Sequence, residues 1–211
     1  MFNLSPQGIL ISAIGIVLAV TLHEYVKCMV AYKLGDTGIK TQGRHVPNLF
    51  KSVDILGGIF MLLFGYGWSN PARINAFSFT NRKKAAILLF TIPFLANFIA
   101  GVSFAIVFNA MPNIAHALNL SFNTFSIITQ VLRVAATFNI TFALFSIIPI
   151  YPLNGINLLA GIKPMWAAKI SRYEKILQIV LAFMIILGVV AMIFNPIAAT
   201  VFRAIAWGAF N

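Results

Sequence analysis

Four long runs of apolar residues divide this chain, at about residues 8–31, 85–108, 125–148 and 176–194. Each is close to the ~20 residues that a helix needs to cross ~30 Å of hydrocarbon. The pattern predicts an all-α polytopic membrane protein with about four transmembrane helices. A fifth run, ILGGIFMLLFGYGW at 55–68, is too short to span and has basic residues on both sides. A re-entrant or interfacial segment satisfies both its length and its flanking charge. The stretch KLGDTGIKTQGRHVPNLFKSVD has Gly and Pro punctuation and no helical period, so extended interfacial backbone is expected there. NPARINAFSFTNRKK returns to the interface. Asn195-Pro196 is expected to end the fourth span. The tail at 197–211 then reads as a short amphipathic interfacial helix, with Arg203 and Trp207 at headgroup level. No internal repeat and no soluble domain is visible, so 1–211 reads as a single integral membrane domain.

Composition agrees with that pattern. The chain is 60% hydrophobic and 9% charged, whereas soluble domains carry roughly 25% charged residues. The first run has no basic stretch before it and carries a His-Glu pair at its far end, unlike a cleaved secretory signal. There are 15 Lys and Arg against 4 Asp and Glu. Twelve of the basic residues fall in two stretches, 33–84 and 163–175, while 109–126 has none. That is the positive-inside pattern, not an electrostatic footprint for nucleic acid. It places 33–84 and 151–175 on the cytoplasmic side, with the N-terminus, the 109–126 loop and the tail outside. The single cysteine, Cys28, excludes an internal disulfide and reads as a small packing residue.

The candidate chemistry begins in TLHEYVKCMVAYKLGD, residues 21–36. His23 and Glu24 open an H-E-x-x-H pattern, but Lys27 holds the fifth position. On a helix, positions 23 and 27 point within about 40° of each other. In a zinc protease two His at that spacing hold the metal, and the Glu takes a proton from the bound water. Lys27 has no lone pair for a metal. Charges inside a span need a reason. Lys27 either pairs with Glu24 or snorkels to the headgroups. Alone, His23 would read as a hydrogen-bonded core histidine. The second place to look is FNITFALFSIIPIYPLNGINLL, 138–159, where a span ends in a Pro-rich turn followed by Asn154-Gly155.

Together these stretches resemble the site-2 protease family of intramembrane zinc metalloproteases, in its short bacterial form. The family pattern N-x-x-P-x-P-x-x-D-G corresponds to SIIPIYPLNG here. Ser146 stands for Asn, Pro149 is kept, Pro152 comes one residue later than in the shortest form, and Asn154 stands for the Asp that is the third zinc ligand. AYKLGD, GYGWSNPARINAFSF and FLANFIAG add to the likeness. Within Pro93-Phe94-Leu95-Ala96-Asn97, only Asn97 keeps the register of the family's G-P-x-x-N.

The resemblance implies a helical core around a polar site near the cytoplasmic face of a bacterial plasma membrane. It also implies a groove that accepts an unwound transmembrane segment, with Asn97, Gly57, Gly58, Pro149, Pro152 and Gly155 as its candidates. The Gly-Ile-Phe stretch at 58–60 is expected to be irregular there. Of the metal-site positions, His23 alone is a retained ligand, and Lys27 and Asn154 are degenerate. Glu24 keeps the general-base position without a metal-activated water to act on. The charge still balances, because Lys27 with Glu24 and a neutral Asn154 replaces zinc with two carboxylates. The expectation is a pseudoprotease with no cofactor, whose partners are transmembrane helices and membrane lipids. The alternative is an active zinc-dependent endopeptidase with a variant ligand set.

Other polar residues are weaker signals. A transporter would call for a repeated pair of broken helices, and none is seen. His45 and His116 fall in loops on opposite expected sides, so they cannot complete one metal site together. Asn97 and Asn139 are intramembrane amides able to bond across helices. Arg133 matches no family motif; it snorkels, binds a backbone carbonyl or meets a partner.

Overall fold

The computed structural model describes residues 5–207, with the Ala206 and Trp207 side chains and residues 208–211 of the expected tail outside the described set. Among the described residues the elements are α-helical, with one 3-10 turn at Ala76–Ser78 and no strand. In chain order the helices are α1 (Pro6–Lys33), α2 (Gly38–Thr41), α3 (Leu49–Ser52), α4 (Ile55–Phe64) and α5 (Arg82–Ala117). They continue with α6 (Phe122–Phe145), α7 (Gly155–Ile162), α8 (Pro164–Ser171), α9 (Glu174–Ile186) and α10 (Val189–Trp207). Three helices, α1, α5 and α6, are each long and apolar enough to cross a membrane, and α9 with α10 makes a bent pair that can count as a fourth span. The chain is an all-α polytopic membrane protein.

The three long helices start where the sequence supplies side-chain acceptors for their free N–H groups. Ser5 Oγ accepts from Gly8 N at 3.1 Å, Asn81 Oδ1 from Lys84 N at 2.9 Å, and Ser121 Oγ from Thr124 N at 3.3 Å. Inside the bundle α1, α5 and α6 pack on one another. Small residues let the backbones approach, as lipid offers no hydrophobic drive for helices to associate. A Cβ at Gly101 would run into Ile140 and meet the Ala136 carbonyl, so α5 and α6 approach closely there.

The helix α4 enters this bundle rather than lying outside it. Its Met61 is 1% exposed and packs with Ile16, Ala19 and Val20 of α1 and with Phe138 and Phe142 of α6. Ten residues rise about 15 Å, half a membrane. Asp54 caps the helix by accepting from Gly57 N at 2.7 Å, and Gly65 at φ +83° ends it. The following chain runs back alongside, where Val53 and Ser69 form one antiparallel bridge.

Several boundaries differ from those read off the sequence. Residues 58–60 are helical within α4, not irregular. Residues 33–54 contain the short helices α2 and α3 as well as irregular backbone. The neutral segment 109–126 is mostly helix, because α5 continues to Ala117 and α6 begins at Phe122. The fourth apolar run breaks at Leu187–Gly188, where Gly188 takes φ +74° and the axis bends by 67°. Pro196 does not end a helix but lies inside α10. Gly188 has nothing near its Cβ position, so the left-handed turn, not close packing, calls for glycine there.

The basic residues at 33–84 and 163–175 predict that Thr80 and Asn119 face opposite compartments. With Cys28 replaced by Ala, an impermeant maleimide applied to intact cells should label a cysteine at 119. A cysteine at 80 should react only after the membrane is opened. Labelling of both from one side would overturn the orientation.

Candidate functional site

The motif residues of α1 lie on its buried side: His23 and Glu24 are each 1% exposed and Lys27 is 3% exposed. One helical turn brings Lys27 back onto Glu24, and Nζ lies 2.5 Å from Oε1. Lys27 therefore pairs inward instead of snorkelling. The same Glu24 oxygen accepts from Ser69 Oγ at 2.7 Å, and Oε2 accepts from the Ala72 N–H at 3.3 Å. Arg44 Nη1 stands 3.9 Å from Oε2. A carboxylate has about four acceptor positions. Here a lysine, a hydroxyl and a backbone N–H take up three of them, and the Arg44 guanidinium adds its charge from 3.9 Å. Burial of the pair is tolerable because it is compensated in this way.

These contacts also position the segment after α4. Ser69 and Ala72 reach Glu24 because Asn70 N bonds Ser52 O at 2.8 Å, which sets that segment beside α3. Gly57 and Gly67 permit the approach, since a Cβ on either would overlap backbone of the other strand of chain. Arg44 donates to Asn70 O at 2.8 Å, and Gln42 both donates to Arg73 O at 2.8 Å and accepts from Arg73 N at 3.1 Å. Sequence reasoning counted Arg44 only as loop charge and passed over Ser69. Their signal is weak: they are polar residues in segments without a period, and they meet Glu24 from 20 and 45 positions away.

On the next face of α1, His23 packs edge-on to Phe142 with ring centroids 5.1 Å apart. The Asn97 side chain faces the imidazole. Asn97 is 0% exposed. Its Nδ2 donates to Ala19 O at 2.8 Å and to Asn139 Oδ1 at 3.2 Å, and Asn139 Nδ2 donates to Ala135 O at 2.8 Å. This amide pair ties α1, α5 and α6 together. Neither His23 Nδ1 nor Asn97 Oδ1 has a hydrogen-bond partner.

Asn154 is used differently from a ligand. Pro93 inside α5 has no N–H, so the carbonyl of Leu89, four residues earlier, lacks its helical donor. Asn154 Nδ2 supplies one, donating to Leu89 O at 3.0 Å and to Phe90 O at 3.2 Å. Its oxygen accepts from Asn157 Nδ2 at 2.7 Å. The two carbonyls fix which end of the amide faces α5. An aspartate here would set a carboxylate against both.

The remaining groove candidates are largely closed. Pro152 and Gly155 are buried, and Gly155 N bonds Ser146 O at 2.7 Å, closing the Pro-rich turn. Gly57 is buried against the Trp68 backbone, Gly58 is half-buried, and Pro149 is exposed. Only the last two lie open in this arrangement.

No protein-family model matches this chain, and no solved structure matches it. Among curated proteins it is similar to one from Bacillus subtilis (strain 168) named "Putative zinc metalloprotease YwhC". The two are 28% identical over 151 residues, covering 72% of this chain and 68% of the relative. That name implies zinc, and the donor set here does not fit it. Among the described residues no three His, Cys, Asp or Glu come together as metal ligands. Zinc sites are built from three or four such groups. Lys27 has only donors, and Asn154 offers a neutral amide oxygen that already accepts from Asn157.

Two stability outcomes follow. Lys27→Met and Glu24→Gln should each destabilise the protein in detergent. The double variant should lose less than the sum, by about 1–3 kcal/mol. Strictly additive thermal shifts would mean that the pair contributes nothing as a pair. Asn154→Asp should cost about 1–3 kcal/mol, since two carbonyls lose their donor. A denaturation midpoint unchanged from wild type would remove that role for Asn154.

Proposed function

We propose that this chain is a non-catalytic, site-2 protease-like membrane protein that binds a transmembrane segment of a partner without cutting it. The observation that carries the reading is the buried Lys27–Glu24 pair, at 2.5 Å. An ammonium occupies the helix position at which H-E-x-x-H supplies its second metal ligand. Glu24 is held by Lys27, Ser69 and Ala72 together, so it is poorly placed to collect a proton from water. The similarity to a protein named as a zinc metalloprotease supports the ancestry of the scaffold. The donor set supports a loss of its metal chemistry. For a partner helix, the accessible apolar face near the site is that of α4, where Ile55, Leu56, Ile59 and Leu63 are all about half exposed or more. Their spacing gives a stripe along one side of the helix.

One observation favours the second reading, an active zinc endopeptidase with a variant ligand set. His23 Nδ1 is buried and has no hydrogen-bond partner, as a nitrogen reserved for a metal would be. The test compares the natural protein with Lys27→His/Asn154→Asp in zinc-supplemented bilayers, using a single-span test protein as substrate. The natural protein should hold well under one zinc by elemental analysis and leave the substrate whole. A photoreactive residue at Ile59 should crosslink to that intact span. Cleavage by the natural protein that a chelator abolishes would establish the second reading instead. Gain of cleavage by the double variant alone would locate the lost activity in those two positions.

A further inference from the structure

Arg133 is the one cation of the α6 helix, and nothing in the site just described uses it. Its side chain is exposed, and it makes no ion pair or hydrogen bond among the described residues. An arginine on a span without a partner is costly. The four acidic side chains cannot supply one. Glu24 is held by Lys27, Asp36 accepts from Asn75 N, Asp54 caps α4, and Glu174 begins α9. All four belong to the end of the molecule that carries the basic loops.

The depth of Arg133 follows from helix geometry. Asn97 of α5 meets Asn139 of α6, and the helices run antiparallel. Arg133 therefore stands level with residues 103–109 of α5, and Ala105, Phe108 and Asn109 line a cavity with it. Those residues lie 19 to 25 positions beyond Lys84, about 29–38 Å along the axis. With Lys83 and Lys84 at one headgroup layer, ~30 Å of hydrocarbon puts Arg133 at the opposite one. Its side chain leans toward the N-terminus of α6, which is away from the bilayer centre.

Two cavities flank the guanidinium. One of about 420 Å³ is bounded by Asn109, Pro112, Thr129 and Gln130. The other, of about 300 Å³, runs between α5, α6 and α10 past Ala105, Ala136 and Phe202. The first offers polar groups beside the cation, and the second is mainly apolar. The Asn109 amide makes no side-chain hydrogen bond among the described residues, so it is available beside Arg133.

We propose that Arg133 and Asn109 bind the phosphate of an anionic phospholipid, with one acyl chain seated in the groove between α5, α6 and α10. The occupant combines what the two cavities ask for: a singly charged anion at the headgroup layer and a narrow apolar tail below it. A choline headgroup fits less well, since it brings a second cation to Arg133.

Native mass spectrometry of the whole protein tests the site, with dioleoylphosphatidylglycerol, dioleoylphosphatidylcholine and inorganic phosphate as separate probes. The wild type should retain one phosphatidylglycerol in preference to phosphatidylcholine. Arg133→Gln should lose that retention about tenfold, the weight of a charged hydrogen bond. Arg133→Lys should keep part of it. Arg133 is exposed, so the lipid-free melting temperature of Arg133→Gln should match wild type, while the rise given by phosphatidylglycerol disappears. Equal retention of both lipids, or no change in Arg133→Gln, would overturn the proposal. So would inorganic phosphate binding as tightly as the lipid. A photoreactive residue at Gln130 that captured a protein chain in place of lipid would assign the cavity to a partner and overturn it too.

Discussion

A carboxylate buried in a membrane protein must be neutralised, and the arrangement around Glu24 is the consequence. Taking one partner from a buried ion pair costs roughly 3–5 kcal/mol, because the other charge is left alone. Glu24 meets that demand with four groups drawn from three parts of the chain: Lys27 on its own helix, Arg44 from the loop before α3, and Ser69 and Ala72 from the segment after α4. The segment of α4 and the chain after it is thus held to α1 by a charge as well as by Met61 and its apolar neighbours. A change at Glu24 reaches beyond one contact, since the loop before α3 and the segment after α4 are both referred to it.

The same logic orders the other polar groups in the bundle. Intramembrane amides have no water to fall back on, so each finds protein. Asn97 and Asn139 cross-link α1, α5 and α6 at the level of Ala19. Asn154 repairs the gap that Pro93 opens in α5. These are structural solutions in positions where the family resemblance implied ligand or groove roles. Thr21 and His23 depart from this: neither Thr21 Oγ1 nor His23 Nδ1 has a hydrogen-bond partner, and His23 lies beside an unpaired Asn97 oxygen, which makes this corner the least settled part of the polar core.

Much of the architecture was legible because hydrophobic run length is a strong signal. The positions of α1, α5 and α6 follow from it, as does the shortness of α4. The departures have local causes. Residues 109–117 carry no charge and mix apolar with polar side chains, so nothing in them stops a helix, and α5 continues through Pro112. Gly188 sits within an apolar run, where periodicity is blind to a left-handed turn. Pro196 looked like a terminator, yet its missing N–H falls within α10, about two turns past the Gly188 bend. At the site, the Glu24–Lys27 pair was readable from i, i+3 spacing. Ser69 was not, since a hydroxyl in an aperiodic segment gives no hint of what it will meet. The role of Asn154 lay in a relation between two distant residues: Pro93 frees a carbonyl, and an amide 61 positions later closes it.

That relation bears on why these positions do not suit a metal. A metal centre needs lone pairs aimed inward. Lys27 and Asn154 both aim hydrogens: Lys27 at Glu24, and Asn154 at the carbonyls of Leu89 and Phe90. Each side chain donates to an acceptor already present and offers no lone pair inward. Changing either residue alone would leave the site unbalanced. A histidine at 27 with Asn154 would leave Glu24 without its cation, and an aspartate at 154 with Lys27 would add a second carboxylate facing carbonyl oxygens. Lys27 and Asn154 are consistent with each other, since both belong to a polar site held by hydrogen bonds. The residues that do the holding are the ones that deny the metal its ligands.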